Sequence, residues 1–186
     1  LFRSHGITRE ASRFRAAEFL ESEEPFDPGA WYYEQLELGF NYRMTDIHAA
    51  LGASQLKRLD TYVDRRNALA RRYDALLEDL PVQRPLVYAG NLSAFHLYVV
   101  RVEDDADGRH RRRVFDELRS SGIGANVHYL PVHLQPYYRD QGFTSGSFPE
   151  AEAHGRTAVT LPLYPTLSEV EQDTVVETLS RGLKNR

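Results

Sequence analysis

The order of patterns along this 186-residue chain predicts a small α/β or α+β lobe reached through one long helix. Three observations carry that expectation. Residues 46–80 place apolar side chains at steps of mostly three and four, the spacing of a helix with one buried face. Beyond Gly90, short apolar runs alternate with amphipathic ones in the order strand, helix, strand, loop, helix, strand, helix. The composition, 41% hydrophobic and 27% charged with a net charge of −4, suits a globular chain with a real core and excludes a disordered one.

Taken in order, residues 1–20 form a polar, Arg-rich segment expected to be partly helical. Residues 21–30, acidic with two prolines and a glycine, read as an exposed loop. The run Trp31 to Arg43 is aromatic, with Trp31–Tyr33 read as core or interface aromatics. It ends in Asn41-Tyr42-Arg43 just before a helix start that Thr45 and Asp46 can cap. The long helix should run from Asp46 to Leu80, bent near Asp60, burying Leu59, Tyr62, Val63, Leu69, Ala70, Tyr73, Leu76, Leu77 and Leu80. Pro81 and Pro85 stop it. A helix of that length more often bridges two lobes than sits inside one.

In the second half, Ala94–Val102 reads as a strand and Arg109–Ser120 as a helix with Val114, Phe115 and Leu118 inward. Gly124–Tyr129 reads as a second strand and Leu130–Phe143 as irregular Pro- and Tyr-rich chain. A short helix over Pro149–Arg156 and a strand near Ala158–Leu161 follow. The last helix starts at Ser168, which with Glu171 makes a capping box.

Composition narrows the function classes. No stretch approaches 18 uninterrupted apolar residues, so a transmembrane helix is not expected, and the Arg-rich first twenty residues lack the apolar core of a signal peptide. Without cysteine there are no disulfides, thiolate metal sites or Cys nucleophiles, which points to the cytoplasm by default. Basic residues comprise 21 Arg and only Lys57 and Lys184, so lysine chemistry must use one of these two. The chain begins at Leu1 and its one methionine is Met44, so a piece of something longer is expected.

Two segments carry candidate chemistry. An Asn, a phenol and a guanidinium at 41–43 immediately before a helix N-terminus suit an anion, because the first-turn N–H groups and the helix dipole favour negative charge there. The stretch VHYLPVHLQPYY at 127–138 sets imidazoles, phenols and prolines on a short rigid segment, a wall for a flat or anionic ligand. His128 and His133 lack a third ligand nearby, which disfavours a metal. The cluster Arg109–Arg113 is flanked by acids and reads as a solvated helix face, not a nucleic-acid patch.

Together these stretches resemble the DegT/DnrJ/StrS family of pyridoxal-phosphate sugar aminotransferases. The likeness rests on LFRSHGITR at 1–9, LGFNYRMTDIHAALGASQLKRLD at 38–60, AFHLYVV at 94–100, IGANVHYLPVHLQPYY at 123–138 and LPLYP at 161–165. Within it, WYYEQLELGFNYRMTDI and VHYLPVHLQPYY look most like the branch that aminates UDP-linked 4-keto-6-deoxy-N-acetylhexoses from L-glutamate in pseudaminic acid biosynthesis. The resemblance implies the C-terminal part of a fold-type-I enzyme: the end of a large domain over 1–45, a connecting helix over 46–85 and a small α/β domain over 86–186, in a cytoplasmic homodimer. It also implies that surface in residues 1–80 is covered by the large domain and the partner subunit, and that His5, in the RSHG turn, is structural or interfacial.

For the site, the resemblance assigns Asn41, reaching across the dimer, to the phosphate of pyridoxal 5'-phosphate or the neighbouring substrate, Arg43 to the sugar-nucleotide diphosphate or the donor carboxylate, and Val127, His128, Tyr129 and Leu130 to the sugar-nucleotide pocket. No catalytic residue is expected, because neither lysine matches the family's Schiff-base lysine. Two alternatives stand beside this reading. One is a non-catalytic C-terminal module that binds or dimerises. The other is an aminotransferase for a GDP- or dTDP-linked keto sugar.

Overall fold

The computed structural model describes residues 5–15, 31–41, 44–103, 105 and 107–184. Among them the elements run β1 (Ile7–Thr8), β2 (Glu34–Gln35), α1 (Asp46–Leu56), α2 (Leu59–Leu76), β3 (Tyr98–Arg101), α3 (Arg109–Ser120), α4 (Pro136–Arg139), α5 (Pro149–Thr157), β4 (Ala158–Leu161) and α6 (Glu169–Lys184), with 3-10 turns at Ala11–Arg13 and Val132–Leu134. Mixed helix and sheet is the class expected. The residues group into two units, the first of 1–45 with 129–156, the second of 46–128 with 157–186.

The first unit is organised by the turn before β1. His5 and Gly6 both have positive φ, 64° and 72°, and bend the chain so that Leu36 and Glu37 donate their N–H groups to the Gly6 carbonyl at 2.9 and 3.3 Å. The ribbon continues antiparallel, Ile7 opposite Gln35 and Thr8 opposite Glu34. Tyr32, Glu34 and Leu36 alternate into the interior, as the period of an extended chain requires. The buried Glu34 carboxylate accepts the Tyr32 hydroxyl at 2.8 Å and the Arg15 N–H at 2.5 Å. Gln135, itself buried, accepts the Gln35 N–H at 2.8 Å. Of the segment expected to be partly helical, Ala11–Arg13 is a single 3-10 turn; residues 1–4, 16–20 and the expected loop at 21–30 lie outside the described residues.

In the second unit β3 and β4 pair antiparallel, Tyr98 opposite Leu161 through Arg101 opposite Ala158. Each outer edge carries one further rung, Gln83 against Arg101 and Asn126 against Thr160. The second strand expected over Gly124–Tyr129 is therefore a single bridge. Asn126 exchanges both of its backbone hydrogen bonds with Thr160, so the Val127 N–H points away from β4, where the Asn126 side chain accepts it at 2.9 Å. The strand expected over Ala94–Val102 likewise pairs only over 98–101.

Helix α3 has the expected bounds. Gly108 precedes it with φ 74°, and the Asp107 and Asp105 carboxylates accept the N–H groups of Arg109 and His110 at 3.1 and 2.6 Å, satisfying donors a helix start leaves open. Val114, Phe115 and Leu118 are buried, but so are His110 and Arg111; the basic run is not the uniformly solvated face its charge suggests. Helix α6 packs against α3, and an added Cβ at Gly182 would lie 3.2 Å from the Val114 Cα. The box at the start of α6 is formed as expected: Glu171 accepts the Ser168 N–H and hydroxyl at 2.7 Å each, and Ser168 Oγ accepts the Glu171 N–H at 3.2 Å.

The long helix is two helices, broken at Lys57 and Arg58, slightly before the expected bend. Leu69, Ala70, Tyr73 and Leu77 are buried as predicted, while Leu59 is exposed and Leu80 lies beyond the end of α2. Arginines tie α2 down: Arg66 donates to the carbonyls of Phe95, His96 and Leu163 at 3.0, 3.3 and 2.7 Å, and Arg65 to those of Pro165 and Leu167 at 3.3 and 3.0 Å. Helix α1 buries no residue, and Ile47, Leu51 and Leu56 are all exposed.

Candidate functional site

The register of β1 against β2 sets up the first part of the site. With Thr8 opposite Glu34, the next residues along each chain, Arg9 and Tyr33, face one another as a cross-strand pair. The Arg9 guanidinium carbon stands 5.9 Å from the Tyr33 ring centroid, within cation–π range. Tyr129 meets Tyr33 edge-on, centroids 5.9 Å apart at 68°, the offset geometry that aromatic quadrupoles favour. Burial raises the Tyr33 phenol above its usual pKa, Tyr129 adds to this, and Arg9 opposes it. That phenol therefore stays protonated and able to donate. Tyr129 is 49% exposed and presents its own ring at the surface.

Of the predicted site residues, Asn41 is exposed and Leu130 half-buried, both in the first unit. Arg43 lies outside the described residues. Val127 and His128 close one segment of the second unit. The Val127 side chain is buried, so only its backbone can meet a ligand. The His128 ring is held on both sides: Nδ1 lies 2.7 Å from Thr160 Oγ1 and Nε2 lies 3.3 Å from Asn126 Nδ2. Because Asn126 Oδ1 already accepts the Val127 N–H, its amide nitrogen faces His128 and can only donate. The imidazole is thus the neutral Nδ1–H tautomer, donating to Thr160. Burial lowers its pKa, and the nearby His96 lowers it further.

His133, the second histidine of the motif, has a different partner. Its Nε2 lies 2.8 Å from Glu152 Oε1. Among the described residues no group of three or more His, Cys, Asp or Glu could hold a metal ion. Burial pushes the Glu152 carboxyl up, but hydrogen bonds from His133, the Gly146 N–H, the Ser145 hydroxyl and the Phe148 N–H outweigh it and leave it below the usual range.

These two groups give a signed pH dependence. His128 has its ordinary value near 6.5 in the unfolded chain and a lower one folded, so its contribution to stability is complete above about pH 6.5 and declines as pH falls below that. Glu152 has an unfolded value near 4.5 and a lower one folded, so its contribution persists above about pH 4.5 and disappears only on further acidification. Urea midpoints measured from pH 8 to 3 should fall in these two stages. His128→Gln should remove the upper stage and leave the lower; an unchanged upper stage in that variant would contradict the assignment.

Arg9 and Tyr33 were not legible as a pair from the sequence, since they lie 24 positions apart in different segments; only the register of the ribbon joins them. The same holds for His133 and Glu152. No helix among the described residues is long and apolar enough to cross a membrane.

A mixed helix-and-sheet chain carrying this exposed tyrosine segment has clear relatives. Residues 1–180 match the family model described as the DegT/DnrJ/EryC1/StrS aminotransferase family, and the chain belongs to that family. It is 39% identical over 152 residues to the spore coat polysaccharide biosynthesis protein SpsC of Bacillus subtilis, covering 80% of this chain and 39% of SpsC. Among solved structures, Spr1654 of Streptococcus pneumoniae in its PLP form matches with a TM-score of 0.71 at 30% identity, over 98% of this chain and 42% of that one; a PMP form matches equally. The aminotransferase PseC of Helicobacter pylori, involved in the biosynthesis of pseudoaminic acid, shares the fold with a TM-score of 0.68 at 24% identity, over 100% of this chain and 45% of PseC. The chain thus spans about two fifths of the relatives it matches. Pyridoxal phosphate is the cofactor of this family's aminotransferases.

Proposed function

We propose that this chain is the substrate-holding part of a pyridoxal-phosphate-dependent aminotransferase that moves the amino group of L-glutamate to C4 of a UDP-linked 4-keto-6-deoxy-N-acetylhexose. Family membership over residues 1–180 is the observation that supports it most. The naming of SpsC for polysaccharide biosynthesis agrees with a sugar substrate, and the UDP-linked keto sugar rests on the resemblance of the motifs at 31–47 and 127–138.

The residues present suit binding of the cofactor and not its covalent attachment. Asn41 offers an exposed carboxamide, whereas Lys57 lies in the exposed turn after α1 and Lys184 is exposed at the end of α6. Pyridoxal phosphate, when bound, supplies the electron sink for amine transfer. Asn41 and Arg43 would donate hydrogen bonds to phosphate or carboxylate oxygens. Tyr129 would donate its phenol to the sugar nucleotide, and the neutral His128 would shape the same segment. Homodimer formation is part of this proposal, supported by the exposed Ile47, Leu51 and Leu56 of α1, since exposed apolar residues grouped on one element are normally covered.

Kinetics of the whole enzyme test it. Arg43→Ala should weaken anionic-ligand binding by about 1.5–3 kcal/mol, the loss of one charge-assisted hydrogen bond. His128→Ala should raise the KM for the nucleotide sugar more than that for glutamate. Unchanged kinetics for both substrates in both folded variants would refute the site.

A further inference from the structure

Helix α5 turns Glu152 and Gly155, three residues and about one turn apart, toward the segment that carries Tyr129. At Gly155 the approach is so close that an added Cβ would lie 2.8 Å from Pro131 Cδ, 3.1 Å from its Cγ and 3.5 Å from the Tyr129 carbonyl oxygen. No ordinary side chain fits there without moving the segment. At Glu152, 8% exposed, the carboxylate gathers four donors. Oε1 lies 2.8 Å from His133 Nε2, 2.8 Å from the Gly146 N–H and 3.4 Å from the Phe148 N–H. Oε2 takes the Ser145 hydroxyl and the Gly146 N–H, both at 3.1 Å.

The segment is therefore fastened to one helix at two places, Pro131 and His133, two residues apart. Tyr129 sits two residues before the first of them, and the rigid φ of Pro131 leaves little slack between. A buried ionisable pair is an inefficient way to add stability, but it specifies one geometry, which a binding wall needs.

We infer that Glu152 and Gly155 are positioning residues for the sugar nucleotide: they fix the Tyr129–Pro131 segment on α5 and thereby set where the Tyr129 phenol meets the ligand. This rests on the assignment of Tyr129 to the substrate pocket, and the test separates the two.

In the whole enzyme, binding of UDP-N-acetylglucosamine is measured by calorimetry and the KM for L-glutamate by initial rates. Gly155→Ala should weaken UDP-N-acetylglucosamine binding about tenfold while the glutamate KM stays within about twofold. Pro131→Ala, which removes the ring that packs on Gly155 and the rigid φ, should show the same split between the two substrates; a merely structural role would move both readouts together. Glu152→Gln should give the same split between substrates and decides the matter if Gly155→Ala does not fold. Folded Gly155→Ala and Glu152→Gln with wild-type binding, beside a weakened Tyr129→Ala, would overturn the positioning role alone. Wild-type binding in Tyr129→Ala would overturn the pocket assignment and this inference with it.

Discussion

Gly6→Ala is expected to lower the stability of the first unit by about 3 kcal/mol, through backbone strain and collision together. Gly6 has φ 72°, and a Cβ built on it would sit 1.8 Å from the Glu37 carbonyl oxygen and 2.6 Å from its carbon. The left-handed conformation alone costs a non-glycine residue roughly 1–2 kcal/mol. The collision is with backbone, so it cannot be relieved by a side-chain rotation; the Glu37 peptide must retreat. That retreat lengthens the hydrogen bonds from Leu36 and Glu37 to the Gly6 carbonyl, at about 1 kcal/mol each. Trp31, the one tryptophan, lies beside Tyr32 in this unit, 5.6 Å between ring centroids. Its fluorescence during urea unfolding should report the loss, and a change under about 1 kcal/mol would mean that the turn does not approach Glu37 this closely.

Leu118→Ala should cost about 3 kcal/mol in the second unit, within the range for emptying a filled leucine site. Leu118 is fully buried on α3, the helix that packs on α6. Its neighbours are poorly able to close over a cavity. Gly182 already brings α6 within van der Waals reach of the α3 backbone, and the Leu118 carbonyl is held by the Ile123 N–H at 3.0 Å. Thermal unfolding followed by helical circular dichroism at 222 nm should show the drop, while Leu118→Met, which conserves volume, should cost under about 1.5 kcal/mol. Equal losses in the two variants would argue against a packed site.

Some of this architecture is written in short stretches of sequence. Ser168 and Glu171 are three residues apart, and the hydrogen bonds between them are the same in any helix start, so the box could be read before the fold was known. The bounds of α3 follow from a local signal of the same kind, apolar residues on one face between a glycine and a turn. The anchor positions Leu69, Ala70, Tyr73 and Leu77 were likewise visible as a periodic stripe. The family motifs pointed to the right family because they are contiguous.

The tertiary structure decided what depends on contacts between distant residues. Whether 124–129 pairs as a strand could not be read locally: only Asn126 meets β4, exchanging both backbone hydrogen bonds with Thr160. The long helix breaks at Lys57 and Arg58, where neither proline nor glycine stands, and beyond the break α2 is tied by Arg65 and Arg66 to carbonyls about 30 and 100 residues away. The pairing of Arg9 with Tyr33, and of His133 with Glu152, has no local signature either. The sequence by itself determined the periodic faces, the caps and the family, since those arise from neighbours along the chain. The surroundings of Tyr129 were decided only by folding, since register and close packing between segments far apart in sequence bring Tyr33 and Gly155 to it.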